Sequence, residues 1–269
     1  MNGTPLVSVI IPTYNRAAFL AEAVETVLAQ TFTDYELLIV DDGSTDRTAA
    51  VVGGIADPRV NLISLPHSGS PARARNAGIA RARGHWVAFL DSDDLWDSSK
   101  LDDQLAALTA RPDCRWCLTA GRPVDETGAP ILAGSKIRLP PEGWILEPLL
   151  RRRVGVNTSS MLVDRALLLE VGGFDETFLV HEDYDLKVRL ALRSPVARVA
   201  EPRVRKRLHA GQFVGGRGRP VLQTLSKIAR SAPSWRLRSL AAREWFKVGA
   251  LYLFRTARAA LLALAETSG

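Results

Sequence analysis

The sequence contains only two cysteines and no apolar run long enough to cross a bilayer. Cys114 and Cys117 stand in one short segment of the 269-residue chain, without the further soft ligands that a zinc site needs. We therefore expect both thiols to be buried structural groups. Nothing resembles a disulfide framework, and the first residues lack the basic-then-apolar pattern of a signal peptide. These absences predict a cytoplasmic protein.

Two common phosphate-binding loops are also missing. Neither Gly-x-x-x-x-Gly-Lys nor Gly-x-Gly-x-x-Gly follows the first apolar run, so the sequence supports neither a P-loop nucleotide hydrolase nor a dinucleotide-binding Rossmann domain. The composition is otherwise that of a globular protein, with 46% hydrophobic and 24% charged residues. The length allows one large α/β domain or one domain with an appendage.

Short apolar runs alternate with helical patterns through the first hundred residues. Strands are predicted over residues 6–11, 36–40, 60–64 and 86–90, with helices over 17–30, 45–55 and 72–83 between them. This alternation predicts an α/β fold with a Rossmann-like, mostly parallel sheet flanked by helices. Farther along, the patterns predict a helix over 97–110, strands over 114–120 and 154–163, and a long helix over 235–265.

Three carboxylates follow the predicted strand 86–90, namely Asp91, Asp93 and Asp94. The carboxyl ends of parallel strands are where open α/β sheets bind ligands. Carboxylates this close repel one another unless a cation neutralises them, and oxygen ligands suit Mg²⁺ or Mn²⁺, whose natural companion is a phosphate. In the alternative interpretation, Asp93 or Asp94 caps a helix that starts near Leu95.

Polar residues also follow the first two predicted strands. Tyr14 offers a ring face on which a base could stack, and Asp42 offers an acceptor for a base or ribose donor group. Asp42 also precedes Gly43, which is equally typical of a tight turn. Arg75, near the start of the third helix, either reaches a diphosphate bidentately or lies on a solvated helix face.

In these segments the chain resembles the family-2 glycosyltransferases, which have the GT-A fold. The resemblance rests on four motifs in order, at residues 7–16, 40–46, 74–79 and 89–94, and continues through 172–176 and 181–189. It implies an inverting transferase of the hexosyltransferase type that uses a nucleotide-diphosphate sugar and a divalent metal, Mn²⁺ or Mg²⁺. The residues that the resemblance assigns to donor binding are Pro12, Tyr14, Asn15, Asp42, Arg75 and Asp91.

The resemblance also implies a metal site and a catalytic base. Asp91-Ser92-Asp93 would be the DXD motif, with Asp93 on the metal and Asp91 near the ribose or in the metal shell. His209 is a further metal-ligand candidate, in an Arg-Leu-His segment that adjoins the family's Arg-x-His position without matching its spacing. Asp183 would be the base that deprotonates the acceptor hydroxyl, as an inverting displacement requires. Asp183 can also be interpreted as an acidic residue at a helix N-terminus, and this position is compatible with the role of a base.

The resemblance divides the chain into a glycosyltransferase domain over 1–210 and an extension over 211–269. The domain would comprise a donor half, 1–95, and an acceptor half, 96–210. The expected role is cell-surface or secondary glycan synthesis on a glycan or lipid-linked acceptor. The alternative is a non-catalytic relative that binds a nucleotide sugar or a glycan.

The extension is strongly basic. Residues 201–269 hold 14 Lys and Arg against 3 Asp and Glu, a net charge of +11, whereas residues 1–200 have a net charge of −5. Residues 211–220 are glycine-rich and predict a mobile loop over the donor site. The helix 235–265 is predicted either to lie on the anionic inner face of the membrane, or to dock on the domain or on a second subunit of a homo-oligomer. No nucleic-acid partner is expected, because no recognition motif accompanies the charge.

Overall fold

The computed structural model describes residues 3–131, 139–154, 156–178, 181–210, 218–231 and 234–266. Within these ranges the strands form one mixed sheet with helices on its faces. The strands are β1 Val7–Thr13, β2 Tyr35–Asp41, β3 Val60–Ser64, β4 Trp86–Phe89, β5 Leu95–Trp96, β6 Trp116–Val124, β7 Met161–Asp164 and β8 Ala197–Arg207. The helices are α1 Ala17–Leu28, α2 Thr48–Gly53, α3 Pro71–Arg81, α4 Lys100–Ala110, α5 Leu146–Leu150, α6 Arg165–Glu170, α7 Glu182–Ala191, α8 Gly218–Ser231 and α9 Trp235–Glu266.

The sheet has the order β3-β2-β1-β4-β7-β6-β8-β5, and its first four strands are parallel. Strand β7 runs antiparallel to β4 and β6 and joins the two halves of the sheet. Strands β1 and β2 are buried on both faces, which explains their nearly continuous apolar sequence. Because β1, β2 and β4 are parallel, their carboxyl ends meet at one edge. The predicted α/β fold with four leading strands is confirmed.

Two sequence predictions near the site are only partly correct. The strand predicted over 154–163 is a 3-10 turn, Thr158–Ser160, followed by the short strand β7. The turn forms because the Asn157 side chain accepts a hydrogen bond from the Ser159 N–H at 3.1 Å. The helix predicted from residue 97 begins only at Lys100, and Leu95 lies in β5, so neither Asp93 nor Asp94 caps a helix there.

The C-terminal helices belong to the core of the domain. Leu225 of α8 and Leu240, Ala241 and Val248 of α9 are buried in the same apolar cluster as Ile10 of β1. The predicted helix 235–265 and its docking on the domain are therefore confirmed for the part whose side chains are described. The predicted loop over 211–220 falls mainly on residues 211–217, outside the described residues, and from Gly218 onward the chain is helical instead.

Two further expectations concern solvent and membrane exposure. Cys114 and Cys117 are both buried and free, as predicted. Burial raises the pKa of Cys117 to about 12, so that its thiol is unreactive at neutral pH. In the part of the chain that the structure describes, no helix is both long and apolar enough to span a bilayer.

Candidate functional site

A cleft of about 660 Å³ opens at the carboxyl edge of β1, β2 and β4, between the N-terminal ends of α3 and α7. Of the residues predicted from sequence, those that line it are Pro12, Tyr14, Asp42, Arg75, Asp91, Asp93 and Asp183. Other charged or polar residues of the lining include His67, Thr158, His181, Glu182 and Lys206. The topology thus brings both halves of the predicted site into one cavity.

Asp93 contacts His209 in the turn that follows β4. We call this segment, residues 91–94, the acidic turn. The Nε2 atom of His209 lies 2.9 Å from Oδ2 of Asp93, and the imidazole is 4% exposed. The end of β8 places His209 there, because the buried Arg207 donates from Nε to the carbonyl oxygen of Asp93 at 3.1 Å. Two of the three metal-ligand candidates, Asp93 and His209, are therefore adjacent despite their separation in sequence.

Asp94 has a different, structural environment. Its carboxylate is fully buried and accepts hydrogen bonds from the Ser159 hydroxyl at 2.6 Å and from the Arg207 N–H at 3.1 Å. Burial raises the pKa of Asp94 to about 6. The third acid of the cluster therefore ties the acidic turn to β8 and to the 3-10 turn Thr158–Ser160.

Arg75 connects the acidic turn with α7. Its Nη2 donates to Asp91 at 2.7 Å and its Nη1 donates to Glu182 at 2.6 Å, while the guanidinium is 7% exposed. Burial opposes ionisation of Asp91, but Arg75 and Lys206 outweigh it and lower the pKa of that carboxyl. Asp91 therefore stays ionised and is turned toward Arg75 in this structure.

Asp183 lies in the first turn of α7. This helix begins directly after His181, whose backbone is left-handed with φ 61°. Its Oδ2 accepts hydrogen bonds from Lys187 at 2.5 Å and from the Thr158 hydroxyl at 3.3 Å. Burial disfavours its charge, but the Lys187 ammonium and Arg75 dominate and lower the pKa of Asp183 to about 2. The carboxylate is thus ionised at neutral pH, which is the state that accepts a proton.

The opposite end of the cleft has an aromatic wall. Tyr14 is 40% exposed and stacks on His67, with the ring centroids 4.1 Å apart. The Asp42 carboxylate accepts hydrogen bonds from the N–H groups of Ser68 and Gly69, at 3.1 and 2.8 Å. Asp42 therefore shapes the loop that carries His67 and also faces the cleft. This end offers a flat surface of the kind on which a nucleobase stacks.

Asn15 is placed differently from the other predicted donor residues. It has φ 50°, and its side-chain oxygen accepts hydrogen bonds from Thr45 N–H at 2.8 Å and Asp46 N–H at 3.3 Å. Among the described residues, Asn15 is not part of the cleft lining. Its contacts hold the loop after β1 against the loop after β2.

The side chains present fit a divalent ion that arrives with a diphosphate. Within the described ranges, no group of three or more His, Cys, Asp or Glu side chains forms a ready-made metal site. Mg²⁺ is commonly held by one or two carboxylates together with substrate phosphates and water. The Asp93 carboxylate and the His209 imidazole, which face each other beside the cleft, match that incomplete set of protein ligands.

Several residues that shape the site have no separate signal in the sequence. Thr158 and Lys206 reach the acids only through tertiary contacts, and Lys187 pairs with Asp183 one helical turn away. Lysines between apolar residues are, however, typical of a solvated helix or strand face. The sequence shows that Glu182 stands beside Asp183, but it does not show that Glu182 pairs with Arg75. A pattern search for lysine one turn after an acid would have found Lys187, together with many exposed pairs.

The 3-10 turn is held in place by a buried polar cluster that consists of Trp96, Lys100 and Gln104. Trp96 donates from Nε1 to the Ser159 carbonyl at 2.9 Å, and Gln104 donates from Nε2 to the Ser160 carbonyl at 2.9 Å. The Gln104 amide is oriented in turn by Lys100, whose ammonium donates to Oε1 at 2.6 Å. Lys100 is fully buried, and its ammonium lies 3.8 Å from the centroid of the Trp96 ring.

An α/β fold of this topology, with an acidic turn after β4 and an ionised carboxylate on α7 in one cleft, is a fold of the GT-A class. The Glycosyl transferase family 2 profile matches residues 8–142, half of the chain, and the Glycosyltransferase like family 2 profile matches residues 135–237. The chain therefore belongs to glycosyltransferase family 2. The second match extends the likeness beyond residue 210, into α8 and the start of α9.

Comparison with individual proteins agrees with this assignment. The Escherichia coli enzyme UDP-Glc:alpha-D-GlcNAc-diphosphoundecaprenol beta-1,3-glucosyltransferase WfgD is 39% identical over 103 residues, which are 38% of this chain and 41% of that enzyme. The chain spans less than two thirds of the length of the curated relatives it matches.

Solved structures confirm the GT-A fold. The Staphylococcus aureus TarS 1–349 complex with UDP-GlcNAc has a TM-score of 0.72 at 20% identity and covers 88% of this chain and 71% of that one. The mannosyltransferase PcManGT from Pyrobaculum calidifontis, in complex with GDP-Man and Mn²⁺, has a TM-score of 0.65 at 22% identity and covers 99% and 81%. At these identities the likeness establishes the fold alone.

The buried lysine below the site predicts an unusual pH dependence of stability. Burial lowers the pKa of Lys100 to about 7, whereas an unfolded chain holds a lysine proton up to about pH 10.4. Between these values the unfolded state binds more protons, so this group makes the protein more stable as pH rises. Compared with Lys100→Met, the wild-type free energy of unfolding should rise by about 1.4 kcal/mol per pH unit in that window.

Urea unfolding of both proteins at about pH 6, pH 8 and pH 9.5, followed by circular dichroism, measures this difference. The exposed Lys247→Met variant serves as the matched control and should differ from wild type by a constant amount. A constant difference for Lys100→Met as well would mean that Lys100 keeps an ordinary pKa in the folded protein.

Proposed function

We propose that the protein is a metal-dependent, inverting hexosyltransferase that moves a sugar from a nucleotide-diphosphate donor to an acceptor hydroxyl in cell-surface glycan synthesis. One observation carries the proposal. A single cleft holds the ionised Asp183 carboxylate and the Asp93 carboxylate, whose imidazole partner His209 lies beside the cleft, and Arg75 links the acidic turn to α7. Inversion needs a base on one side of the sugar and charge neutralisation on the other.

The donor would lie along the cleft from the aromatic wall to the acidic turn. Tyr14 would stack on the nucleobase, and Pro12, Asn15 and Asp42 would shape or contact the nucleoside site. Asp93 and His209 would hold Mn²⁺ or Mg²⁺, with Asp91 beside it, and the ion would neutralise the charge that develops on the leaving nucleoside diphosphate. The relatives support this proposal, because UDP-GlcNAc and GDP-Man with Mn²⁺ are bound in TarS and PcManGT.

The chemical step that this geometry supports is a single displacement. The acceptor oxygen forms a bond to the anomeric carbon while the bond from that carbon to the diphosphate oxygen breaks. The diphosphate leaves with the electron pair, and the acceptor proton passes to the Asp183 carboxylate. The lowered pKa keeps Asp183 ready to receive it across the physiological range.

The alternative function is a non-catalytic protein that binds a nucleotide sugar or a glycan. Such a protein would need the aromatic wall and the acidic turn but not an ionised carboxylate at Asp183, held by Lys187 and Thr158. The observation therefore favours the enzyme. A substitution at Asp183 separates the two functions.

The exposed face of α9 supports contact with an anionic membrane at the cytoplasmic side. Trp235 and Phe246 are each 69% exposed, and the charged side chains beside them are all basic, since Glu244 is buried. The basic residues of this surface, which we call the α9 face, are Arg236, Arg238, Arg243 and Lys247. Aromatic and basic side chains together suit the headgroup region, where a lipid-linked acceptor such as the one in the name of WfgD would be met.

The first prediction of this proposal concerns the metal. UDP or GDP should bind at least about tenfold more tightly with Mn²⁺ than after chelation, a difference of about 1.4 kcal/mol. Asp93→Asn should abolish the difference, because it removes the charged ligand next to His209. Isothermal titration calorimetry measures both affinities. The exposed Asp113→Asn variant should behave like wild type, and equal affinities with and without Mn²⁺ in wild type would contradict the metal site.

The second prediction separates binding from chemistry. Asp183→Asn should leave nucleotide affinity unchanged and reduce kcat by about 10²-fold or more, as expected when a general base is lost. Release of nucleoside diphosphate measures turnover, and slow donor hydrolysis supplies a readout in which water replaces the acceptor. The control is Glu170→Gln, an exposed acid of α6. Normal turnover in Asp183→Asn would place the base elsewhere, and turnover absent from wild type with every donor that binds would favour the non-catalytic alternative.

The third prediction concerns the α9 face. The protein should co-sediment with phosphatidylglycerol vesicles at low salt and be released as salt rises, since each basic residue near such a surface contributes about 1 kcal/mol. Arg236→Glu with Arg243→Glu should abolish binding without unfolding the protein, whereas truncation would remove buried core residues of the helix. Trp144→Ala, at an exposed tryptophan elsewhere, is the control. Indifference of the wild type to these vesicles would contradict the proposal.

A further inference from the structure

Lys187 is a buried lysine whose contacts are concentrated on the proposed base. It follows Asp183 by one helical turn on α7, and its side chain is only 3% exposed. The ammonium donates to Oδ2 of Asp183 at 2.5 Å and to the carbonyl oxygen of Val156 at 2.6 Å. A buried ammonium requires such partners, because an unpaired charge in this environment costs several kcal/mol.

Of the other charged groups around Asp183, Arg75 is committed to other acids and Asp91 repels it. Arg75 of α3 is shared between Asp91 and Glu182. Asp91, at the end of β4, and Asp183 disfavour each other's charge, while His181, directly before α7, favours the charge on Asp183. Within the described part of the chain, Lys187 forms its ion pair with Asp183 alone. It is therefore the cation dedicated to this carboxylate.

We propose that Lys187 is the positioning residue of the base: it fixes Oδ2 of Asp183 and keeps the carboxylate charged while the anionic donor occupies the cleft. This inference rests on the proposed function and specifies how its base is held. Oδ2 is then engaged by Lys187 and Thr158, whereas the one contact of Oδ1 among the described residues is the Tyr184 N–H at 2.8 Å. Oδ1 is the oxygen left to receive the acceptor proton.

The need for such a cation follows from the charge of the substrate. A bound nucleoside diphosphate brings negative charge toward Asp91 and Asp93, and like charges raise the pKa of a neighbouring carboxyl. The Lys187 ammonium opposes that shift, in line with its part in lowering the pKa of Asp183 to about 2 in the free protein. The accompanying loss of base strength is tolerable, because the acceptor oxygen becomes acidic as its bond to the anomeric carbon forms.

The test compares Lys187→Met and Lys187→Arg with wild type through the pH dependence of kcat, which reports ionisation in the donor-bound enzyme. In Lys187→Met the acid limb of the profile should move to higher pH by about 1–3 units, the size expected for loss of an opposite charge at this distance. Lys187→Arg retains the charge and should restore the wild-type limb. The matched control is Lys227→Met, which breaks a lysine-aspartate pair outside the catalytic cleft and should leave the limb in place.

Several outcomes would overturn the inference. If Lys187→Met lowers kcat by the same factor at every pH, Lys187 acts only through folding. If the acid limb of the kcat profile moves by the same amount in Lys187→Arg as in Lys187→Met, the positive charge of Lys187 is not what matters. If Lys187→Met does not fold, Lys187→Gln, which keeps a donor without the charge, takes its place in the same comparison.

A second readout does not depend on turnover. Thermal unfolding of Lys187→Met, Asp183→Asn and the double variant at neutral pH forms a double-mutant cycle. The decrease in Tm for the double variant should be smaller than the sum of the two single decreases, because either change already breaks the pair. Additive decreases would overturn the inference even if the protein proves to be a transferase. Conversely, a coupled pair in a protein without turnover would refute only the proposed function.

Discussion

The guanidinium of Arg75 is buried where α3, the acidic turn after β4 and the start of α7 meet, and the geometry of the cleft depends on its two ion pairs. One nitrogen bonds to Asp91 and another to Glu182, at 2.7 and 2.6 Å. Desolvating a guanidinium costs several kcal/mol, which only close, well-oriented partners offset. Without it, two carboxylates would face each other in a poorly solvated space and push the donor and acceptor sides apart. The pairing therefore fixes the distance between the start of α7, which carries the proposed base, and the end of β4, where the proposed donor would be held.

Asp183, Asp94 and Asp93, which lie in or beside the cleft, differ in how strongly neighbouring groups neutralise their charge. Asp183 has a dedicated ammonium, and the buried Asp94 has hydrogen-bond donors and the Lys206 ammonium at 3.6 Å. Asp93 differs from both, since among the described residues its side chain contacts an imidazole, His209, and not a permanent cation. A carboxylate in that position has the most to gain from a divalent ion. Within the acidic turn, the internal ion pairs thus favour Asp93 as the proposed metal ligand.

The features of the fold and the site that could be predicted from the sequence are those that local sequence patterns determine. The strands β1 to β4 are continuous apolar runs, and the acids after β4 follow one directly, so both the fold and the acidic turn could be predicted. The contact between Asp93 and His209 spans 116 residues and was suggested only by family resemblance. The 3-10 turn was mistaken for a strand because the hydrogen bonds of Asn157 decide it, not the apolar pattern around it. Lys187 was unremarkable in sequence because burial, invisible in a pattern, changes what a lysine does.

The 3-10 turn gives the donor and acceptor sides a second mechanical connection. Ser159 accepts the N–H of Asp91 and donates its hydroxyl to Asp94, while its neighbour Thr158 donates to Asp183. The turn is held from beneath by Trp96 and Gln104 through the carbonyl groups of consecutive residues. A shift of the acidic turn when a diphosphate binds would therefore reach Asp183 both through Arg75 and through this turn. Since both connections consist of directional contacts between buried or partly buried groups, we expect Asp183 and the acidic turn to move as one unit, which is the preorganisation that the proposed single displacement requires.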